Sequence, residues 1–419
     1  MTSSIDNARP MGAIPPGFEA LGGELAIGGR PVSRIIDAAG GETPLFVYDA
    51  ALVAQRIARL RAALPEGVGV HYAVKANPFA PLLAWIAPRV DGLDVASGSE
   101  LALALRAGGV PGAISFAGPG KRDAELVQAL QAGVTINLES DGEFSRLLAR
   151  AEREGQKPRV AVRVNPDFEL KSSGMRMGGG AKPFGVDADQ VPSLLARIKA
   201  ADCAFAGFHI FAGSQNLDAE ALADAQAKTV ALAARLGEQA GLQPPLVNLG
   251  GGFGIPYFAG DKPLDVERVG ASLAETLARR PPVLASTGFA LELGRWLVGE
   301  AGVYLTRVVE RKVSGGQVFL VCDGGMHHQL AASGNFGQVV RRNYPLANAT
   351  RFAEPAAEAA NVVGCLCTPL DRLGDLVALP ATAPGDVMAV FMAGAYGASA
   401  SPAAFLGHRP AGEVLVGGL

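Results

Sequence analysis

Lys75 is the first residue whose type and position indicate chemistry. It lies in HYAVKANP, which the residue pattern predicts to be a strand that ends at Asn-Pro, so its ammonium would project from the strand end. A lysine in apolar surroundings has a lowered pKa and forms an imine with a carbonyl group readily. A solvated lysine at a strand end is the alternative interpretation.

A run of glycines provides the second element. GGGFG follows the strand candidate LVNL, and at Gly251 and Gly252 the backbone N–H groups could approach a phosphate closely. Ser214 in FAGSQ could add a hydroxyl donor. The run does not match the dinucleotide fingerprint G-x-G-x-x-G, and a plain tight turn is the alternative.

Glu292 in LELGR and His209 in FHIFAGS complete the set. A cofactor pyridine that withdraws electrons needs a protonated ring nitrogen, which a carboxylate stabilises, and an imidazole could stack on the ring. The alternatives are an ion pair between Glu292 and Arg295, and a hydrogen-bonded core histidine. An imine-forming lysine, a phosphate cradle, an imidazole and a carboxylate together describe a site for pyridoxal 5'-phosphate.

Eight repeats of strand and helix position these residues. The strand candidates alternate with Ala/Leu-rich segments of helical period, which predicts a (β/α)8 barrel with its chemistry at the carboxyl ends of the strands. After residue 300, short alternating segments predict a mostly antiparallel β domain. The predicted organisation is an N-terminal segment 1–45 that joins the β domain, a barrel over 46–298, and the β domain over 299–419. The strand candidates are VGVHYAVKANP, LDVASG, AISFAGPG, TINLES, RVAVRVNP, AFAGFHIFAGS, LVNLGGGFG and FALELGR.

Composition restricts the class of partner. The chain has 37 Lys+Arg against 40 Asp+Glu, a net charge of -3, so nucleic acid is not an expected partner. No secretory signal is evident, and the uncharged run Val387 to Gly407 is interrupted by serines, glycines and Pro402, which predicts core and loop instead of a membrane span. The four cysteines form no C-x-x-C pair or zinc-type cluster, and the expected setting is a reducing cytoplasm.

The chain resembles the fold-type III pyridoxal-phosphate decarboxylases, which include diaminopimelate and ornithine decarboxylases and share an alanine racemase-like fold. The resemblance rests on YAVKANP, LDVASGSEL, RVNPD, HIFAGSQ, LGGGFG, ELGR, CDGG and GAYG, in that order. It implies that Lys75 carries the cofactor, that His209 stacks on its ring and that Glu292 pairs with the ring nitrogen. It also implies that the phosphate is surrounded by Ser214, Gly252, Gly294, Arg295 and Tyr396.

The same resemblance implies a homodimer with shared active sites. By motif position, Cys367 and Asp371 in VVGCLCTPLDRLG would be donated by the second subunit. Cys367 would return a proton after carbon dioxide leaves, a role that benefits from a lowered thiol pKa. A small buried hydrophobe is the alternative for this cysteine.

Departures from the family pattern concern the substrate. Diaminopimelate decarboxylases carry Cys-Glu-Ser-Gly-Asp where this chain reads CTPLD, so Thr368 replaces an acidic residue. The longer motifs resemble the decarboxylases associated with exosortase A and exopolysaccharide gene clusters, and the butirosin-pathway decarboxylase that acts on a carrier-bound glutamyl group. The expected substrate is a diaminopimelate- or ornithine-like amino acid or a carrier-tethered one. The predicted substrate contacts are Arg163, Asp371, His328 and Thr368.

Adjacent histidines, His327 and His328, raise the question of a metal. Two consecutive side chains point in different directions, and no ligand cluster surrounds them in the sequence beyond Asp323, so no metal site is predicted. Arg341 and Arg342 could bind a carboxylate or phosphopantetheine, or form a solvated basic pair. An amino-acid racemase and a non-catalytic cofactor-binding protein remain as alternatives to a decarboxylase, and carbon dioxide release separates them.

Overall fold

The computed structural model describes residues 5–170, 174–176, 178–336, 338 and 340–418. The chain divides into two compact units. The first consists of Met1–Arg56, Pro256–Lys262 and Arg295–Leu419, and the second of Ile57–Ile255 and Pro263–Gly294.

The second unit is a closed barrel of eight parallel strands. Each strand pairs with the next in the chain, and the last pairs with the first. The predicted barrel is thus confirmed strand by strand. The strands are β1 (Val68–Ala73), β2 (Gly92–Val95), β3 (Ile114–Phe116), β4 (Thr135–Leu138), β5 (Arg159–Asn165), β6 (Ala204–Ile210), β7 (Leu246–Asn248) and β8 (Gly288–Leu293).

Helices follow most of these strands, and their ends match local sequence signals. Ser97 and Ser140 cap two helices by accepting hydrogen bonds from the backbone N–H groups of Glu100 and Glu143, and Gly155 ends the second of these helices in a left-handed conformation. Short strands Met175–Arg176 and Gly213–Ser214 pair with each other, and Val186–Asp187 pairs with β5. The helices of this unit are Ala80–Ile86, Gly98–Arg106, Asp123–Ala132, Asp141–Glu154, Val191–Ala200, Ala219–Ala240 and Val266–Ala278, and Ala50–Ala63 contains the boundary after Arg56.

The first unit is built on a mixed sheet around the long strand Gly302–Ser314. This strand pairs antiparallel with Leu45–Asp49, Gln317–Cys322 and Val387–Val390. Two pairings are parallel, Gln317–Cys322 with Glu358–Val363 and Leu45–Asp49 with Gly412–Val416, so the domain is mostly but not wholly antiparallel. The remaining strands are Leu346–Asn348, Arg372–Leu379, and the small sheet of Glu19–Leu21, Glu24–Ile27 and Arg30–Pro31; the helices are Val32–Ala38 and Arg295–Val298.

The boundaries of the units differ from the sequence-based division. Residues 46–56 and 295–298 belong to the first unit, whereas the sequence analysis assigned them to the barrel. For residues 46–49 the physical reason is strand pairing, because Leu45–Asp49 hydrogen-bonds to Gly302–Ser314 and to Gly412–Val416 and to no barrel strand. In the part of the chain that the structure describes, no helix is both long and apolar enough to cross a membrane. The uncharged run from Val387 forms the strand Val387–Val390 and short turns.

The barrel's outer layer allows a test of close packing. Gly270, inside the helix Val266–Ala278, passes so near Ala63 that an added Cβ would overlap the Ala63 carbonyl oxygen. We expect Gly270→Ala to lower the free energy of unfolding by about 1–3 kcal/mol, because backbone must move to accept the methyl group. Urea denaturation measures the change.

Gly142 supplies the matched control. It also lies in a helix, Asp141–Glu154, but the nearest atom to an added Cβ is the Ser140 hydroxyl at 4.0 Å. Gly142→Ala should leave stability unchanged or raise it by up to ~1 kcal/mol, since alanine is the better helix former. Equal losses in the two variants would contradict the packing argument.

Candidate active site

A buried carboxylate lies at the centre of the barrel's polar cluster. Glu292 is near the end of β8, Lys75 lies in the turn Val74–Ala76 directly after β1, and His209 is in β6. The Lys75 Nζ atom is 3.1 Å from Glu292 Oε1, and the His209 Nε2 atom is 2.9 Å from Glu292 Oε2. The barrel therefore brings together three of the predicted site residues.

Two details differ from expectation. Lys75 is in a single 3-10 turn and not in the strand itself, although its side chain is 44% exposed, as is expected of an ammonium that projects into the barrel mouth. Arg295, the alternative partner for Glu292, instead donates a hydrogen bond to the Tyr257 hydroxyl at 2.6 Å.

Charge at this cluster favours the ionised carboxylate. Burial by itself would raise the pKa of Glu292, but Lys75 and His209 outweigh it and hold that pKa well below its usual range. Deeper in the barrel, burial lowers the pKa of His71, yet Asp94, 3.3 Å away, raises it overall, and Glu292 adds to this effect. Glu292 is thus held in its charged form although its side chain is buried.

The glycine loop after β7 forms a backbone cradle. An added Cβ would overlap the Glu292 carbonyl oxygen at Gly251 and the Gly213 carbonyl oxygen at Gly252, where φ is +82°. Asn216 N–H donates to the Gly252 carbonyl at 2.8 Å, which holds the loop. Among the described residues, the N–H groups of Gly251 and Gly252 have no acceptor. Close approach and two available donors fit the phosphate of pyridoxal phosphate.

Other residues predicted to surround the phosphate are distributed over both units. Ser214 is half-buried in the strand Gly213–Ser214, and an added Cβ at Gly294 would lie 2.6 Å from the Ala76 Cβ. In the first unit, the Arg295 guanidinium lies 4.7 Å from the ring centre of Tyr396, which has a left-handed φ of 57°. The contacts of these residues with a phosphate stay predictions.

The Cys367–Asp371 segment exposes no charged group. Cys367 and Leu370 are exposed, and the Thr368 hydroxyl accepts a hydrogen bond from Leu370 N–H at 3.3 Å. Asp371 is buried, and its carboxylate oxygens accept hydrogen bonds from the N–H groups of Met326 at 2.6 Å and Leu366 at 2.9 Å. Its carboxylate is held in the turn by these two bonds, and the predicted contact of Asp371 with substrate stays a prediction.

His328 also has a structural role that the sequence analysis missed. Its Nε2–H donates to the Arg409 carbonyl at 2.8 Å, and its Nδ1 accepts from the Tyr304 hydroxyl at 3.1 Å. Burial lowers the pKa of His328, so the ring is neutral and both nitrogens are in use. The predicted contact of His328 with substrate stays a prediction.

Arg163 belongs to a buried charge network. Its Nη1 donates to Glu139 Oε1 at 2.8 Å, and Glu139 Oε2 accepts from Gly185 N–H at 3.1 Å. Next to it, Lys121 Nζ lies 3.0 Å from Glu143 Oε1 and donates to the Gly118 carbonyl at 2.7 Å. Arg163 pairs inside the barrel unit, and its predicted contact with substrate stays a prediction. No local motif marked Lys121, Glu139 or Glu143.

The chain is similar to known decarboxylases over most of its length. Residues 50–299 match the family described as "Pyridoxal-dependent decarboxylase, pyridoxal binding domain". The chain is 37% identical over 380 residues to the L-glutamyl-[BtrI acyl-carrier protein] decarboxylase of Niallia circulans, covering 89% of each chain. It is 33% identical to the diaminopimelate decarboxylase of Aquifex aeolicus, covering 96% of this chain and 92% of that one.

A solved structure has a similar fold. The diaminopimelate decarboxylase from M. jannaschii in complex with L-lysine superimposes with a TM-score of 0.84 at 26% identity. The match covers 96% of this chain and 92% of that one. The similarity therefore includes the mixed sheet as well as the barrel.

The buried network allows a prediction about stability. Lys121→Met leaves the Glu143 carboxylate buried without its cation, and we expect the free energy of unfolding to fall by about 3–5 kcal/mol. Chemical denaturation near neutral pH measures the loss. Lys121→Met combined with Glu143→Leu should recover most of it, because no uncompensated charge remains. If the double variant were as unstable as the single one, packing and not charge would explain the effect.

Proposed function

The chain belongs to the pyridoxal-dependent decarboxylases, and on that premise we propose that its substrate is an amino acid whose distal end is joined to a carrier or capped as an amide. It is a carboxy-lyase that acts on an amino acid with pyridoxal phosphate as its cofactor. The observation that carries the proposal is the uncharged surface of the Cys367–Leu370 segment.

The roles of the barrel residues follow from their chemistry. Bound pyridoxal phosphate supplies an electron sink for the pair of electrons left when the carboxylate departs. We assign Lys75 Nζ as the amine that holds the cofactor and Glu292 as the carboxylate that keeps a proton on its ring nitrogen. His209 covers the ring, and the N–H groups of Gly251 and Gly252 with the Ser214 hydroxyl bind the phosphate. The low pKa of Glu292 suits its role, because only the charged form stabilises a protonated nitrogen.

Cys367 is assigned as the proton donor to the substrate carbon. Its side chain is exposed, as a group must be if it is to enter the site of another subunit. A thiol transfers a proton near neutral pH more readily than a hydroxyl does. The proton it loses returns from solvent between turnovers.

The substrate proposal rests on what the Cys367–Leu370 segment offers. A distal ammonium needs a carboxylate partner, and Thr368 provides only a methyl group and a hydroxyl that is already engaged with Leu370 N–H. Asp371 cannot substitute, since its carboxylate is buried and accepts two backbone hydrogen bonds. Binding a charged distal end there would leave that charge without a partner, at a considerable cost in affinity.

The name of the Niallia circulans relative supports a tethered substrate, because that protein acts on a glutamyl group bound to an acyl-carrier protein. The resemblance to exosortase-associated decarboxylases supports a place in exopolysaccharide assembly. We also propose a cytoplasmic location, which suits the four free cysteines, Cys203, Cys322, Cys365 and Cys367.

A substrate panel tests the proposal. Carbon dioxide release is measured with meso-diaminopimelate, L-ornithine, L-glutamate, a glutamyl thioester of a pantetheine analogue, and a glutamyl amide. We expect kcat/KM for the thioester or amide to exceed that for the charged amino acids by at least ~10²-fold. A site that offers no group of opposite charge disfavours a substrate whose distal end is charged. Equal or faster turnover of diaminopimelate would overturn the assignment.

Thr368→Glu is the matched variant for this panel. An added carboxylate should raise kcat/KM for substrates with a distal ammonium and lower it for the capped ones, by ~10-fold in each direction. Thr368→Val removes the hydroxyl without adding charge, and it should leave the order of preference unchanged.

We further propose a homodimer in which Cys367 of one chain serves the Lys75 site of the other. Lys75→Ala and Cys367→Ala are each expected to be nearly inactive. Co-expressed in equal amounts, they should recover about one quarter of the wild-type activity, because half of the dimers then contain one intact site. Activity of the unfractionated co-expressed protein, compared with the same amount of wild type, measures the recovery.

The control pairs Lys75→Ala with Glu292→Gln. Both changes lie in the barrel unit of their own chain, so no mixed dimer contains an intact site and no activity should return. Absence of recovery in the Lys75→Ala and Cys367→Ala pair would contradict the exchange of Cys367 between subunits.

A further inference from the structure

We infer that His327, Cys365 and His408 form a binding site for a borderline-soft divalent metal ion of the Zn²⁺ type. The three residues lie in the first unit, far apart in sequence, and their ligand atoms lie within 4.8 Å of one another. No metal site is predicted from the sequence, because Cys365 and His408 are distant from His327 along the chain.

The fold brings the three side chains together from separate elements. His327 follows the strand Gln317–Cys322, Cys365 follows the strand Glu358–Val363, and His408 follows the 3-10 turn Phe405–Gly407. The first two strands pair in parallel, so their carboxyl ends lie side by side. Their following loops therefore place His327 and Cys365 at one edge of the sheet.

The spacing suits tetrahedral coordination. Cys365 Sγ and His408 Nε2 are 3.8 Å apart. With bonds of about 2.3 Å to sulfur and 2.0–2.1 Å to nitrogen, two ligands of a tetrahedral Zn²⁺ ion lie about 3.5 Å apart. Small side-chain rotations would close the remaining difference.

His327 provides the second, independent observation. It is 0% exposed, and neither of its ring nitrogens has a hydrogen-bond partner among the described residues. Its neighbour His328 is equally buried but uses both nitrogens, with Tyr304 and Arg409. Buried polar atoms in proteins are almost always paired, so the unpaired ring nitrogens of His327 indicate a bound ligand. Its ring centre is 4.9 Å from that of His408.

The kind of ligand follows from the donor set. Two imidazoles and a thiol select Zn²⁺ or Co²⁺ over Mg²⁺ and Ca²⁺, which prefer oxygen. Cys365 also interacts electrostatically with the carboxylates of Asp371 and Asp323, which add negative potential around a cation. With three protein ligands, the fourth coordination position is available to water.

Direct metal binding tests the inference. The pyridoxal phosphate-loaded full chain is freed of metal by chelation and dialysis, then titrated with Co²⁺ and with Zn²⁺ in competition. We expect about one ion per chain and a Co²⁺–thiolate absorbance band that Zn²⁺ abolishes. Cys365→Ser should abolish the band, and His408→Gln should weaken Co²⁺ binding at least ~10-fold.

Cys203→Ser is the control. Cys203 is also half-buried, in the barrel unit, and its replacement should leave the stoichiometry and the band unchanged. Absence of binding to the wild-type chain, or binding that neither Cys365→Ser nor His408→Gln weakens, would overturn the inference.

Thiol protection provides a readout that needs no variant. Peptide-level mass spectrometry follows alkylation of each cysteine in the wild-type chain with and without Zn²⁺. We expect Zn²⁺ to slow alkylation of Cys365 at least ~10-fold and to leave Cys203 unaffected, because a metal-bound thiolate is shielded from the reagent. Equal rates for Cys365 in both conditions would refute metal ligation even if the variants failed to fold.

Discussion

The negative charge of Glu292 is the constraint on which the barrel site depends. A carboxylate buried in an interior of low dielectric would take up a proton unless cations or donors were placed beside it. Lys75 at 3.1 Å and His209 at 2.9 Å supply that compensation. Lys75 comes from the turn after β1, and His209 comes from β6. In a closed parallel barrel the carboxyl ends of all strands meet at one rim, so residues far apart in sequence can converge on one carboxylate.

The same geometry explains why the barrel and its cluster could be predicted from the sequence. Each strand is a short apolar run ended by a glycine, asparagine or serine, a signal that is local and repeated eight times. Once the strands are in order, Lys75, His209 and Glu292 fall at strand ends without further information. The exact position of Lys75, in a turn and 44% exposed, depends on how the chain leaves β1, and the residue pattern does not specify this.

Residues whose role depends on a distant partner were not predictable in this way. The motif predicts that Asp371 contacts substrate, but it does not show that the Asp371 carboxylate accepts a hydrogen bond from Met326 N–H, 45 residues away. Lys121, in the loop before the helix Asp123–Ala132, and Glu143, in the helix Asp141–Glu154, form a buried ion pair. Sequence spacing alone would predict that each is a surface charge. The different environments of His327 and His328 were not predictable for the same reason. Adjacent in sequence, one ring is fully hydrogen-bonded and the other faces Cys365 and His408, because neighbouring side chains enter different environments.

Under the proposed function, substrate choice depends on which carboxylates in the Cys367–Asp371 segment are free to act. Asp371 has the charge to bind an ammonium, but moving it outward would break its bonds to Met326 and Leu366 and leave two buried N–H groups unpaired. The cost of leaving these N–H groups unpaired keeps the Asp371 carboxylate buried. The residue at position 368 therefore decides alone whether the segment offers a negative charge, and a threonine there presents none. On this proposal, a change of one side chain alters the class of substrate while the barrel, its buried carboxylate and the glycine loop remain the same.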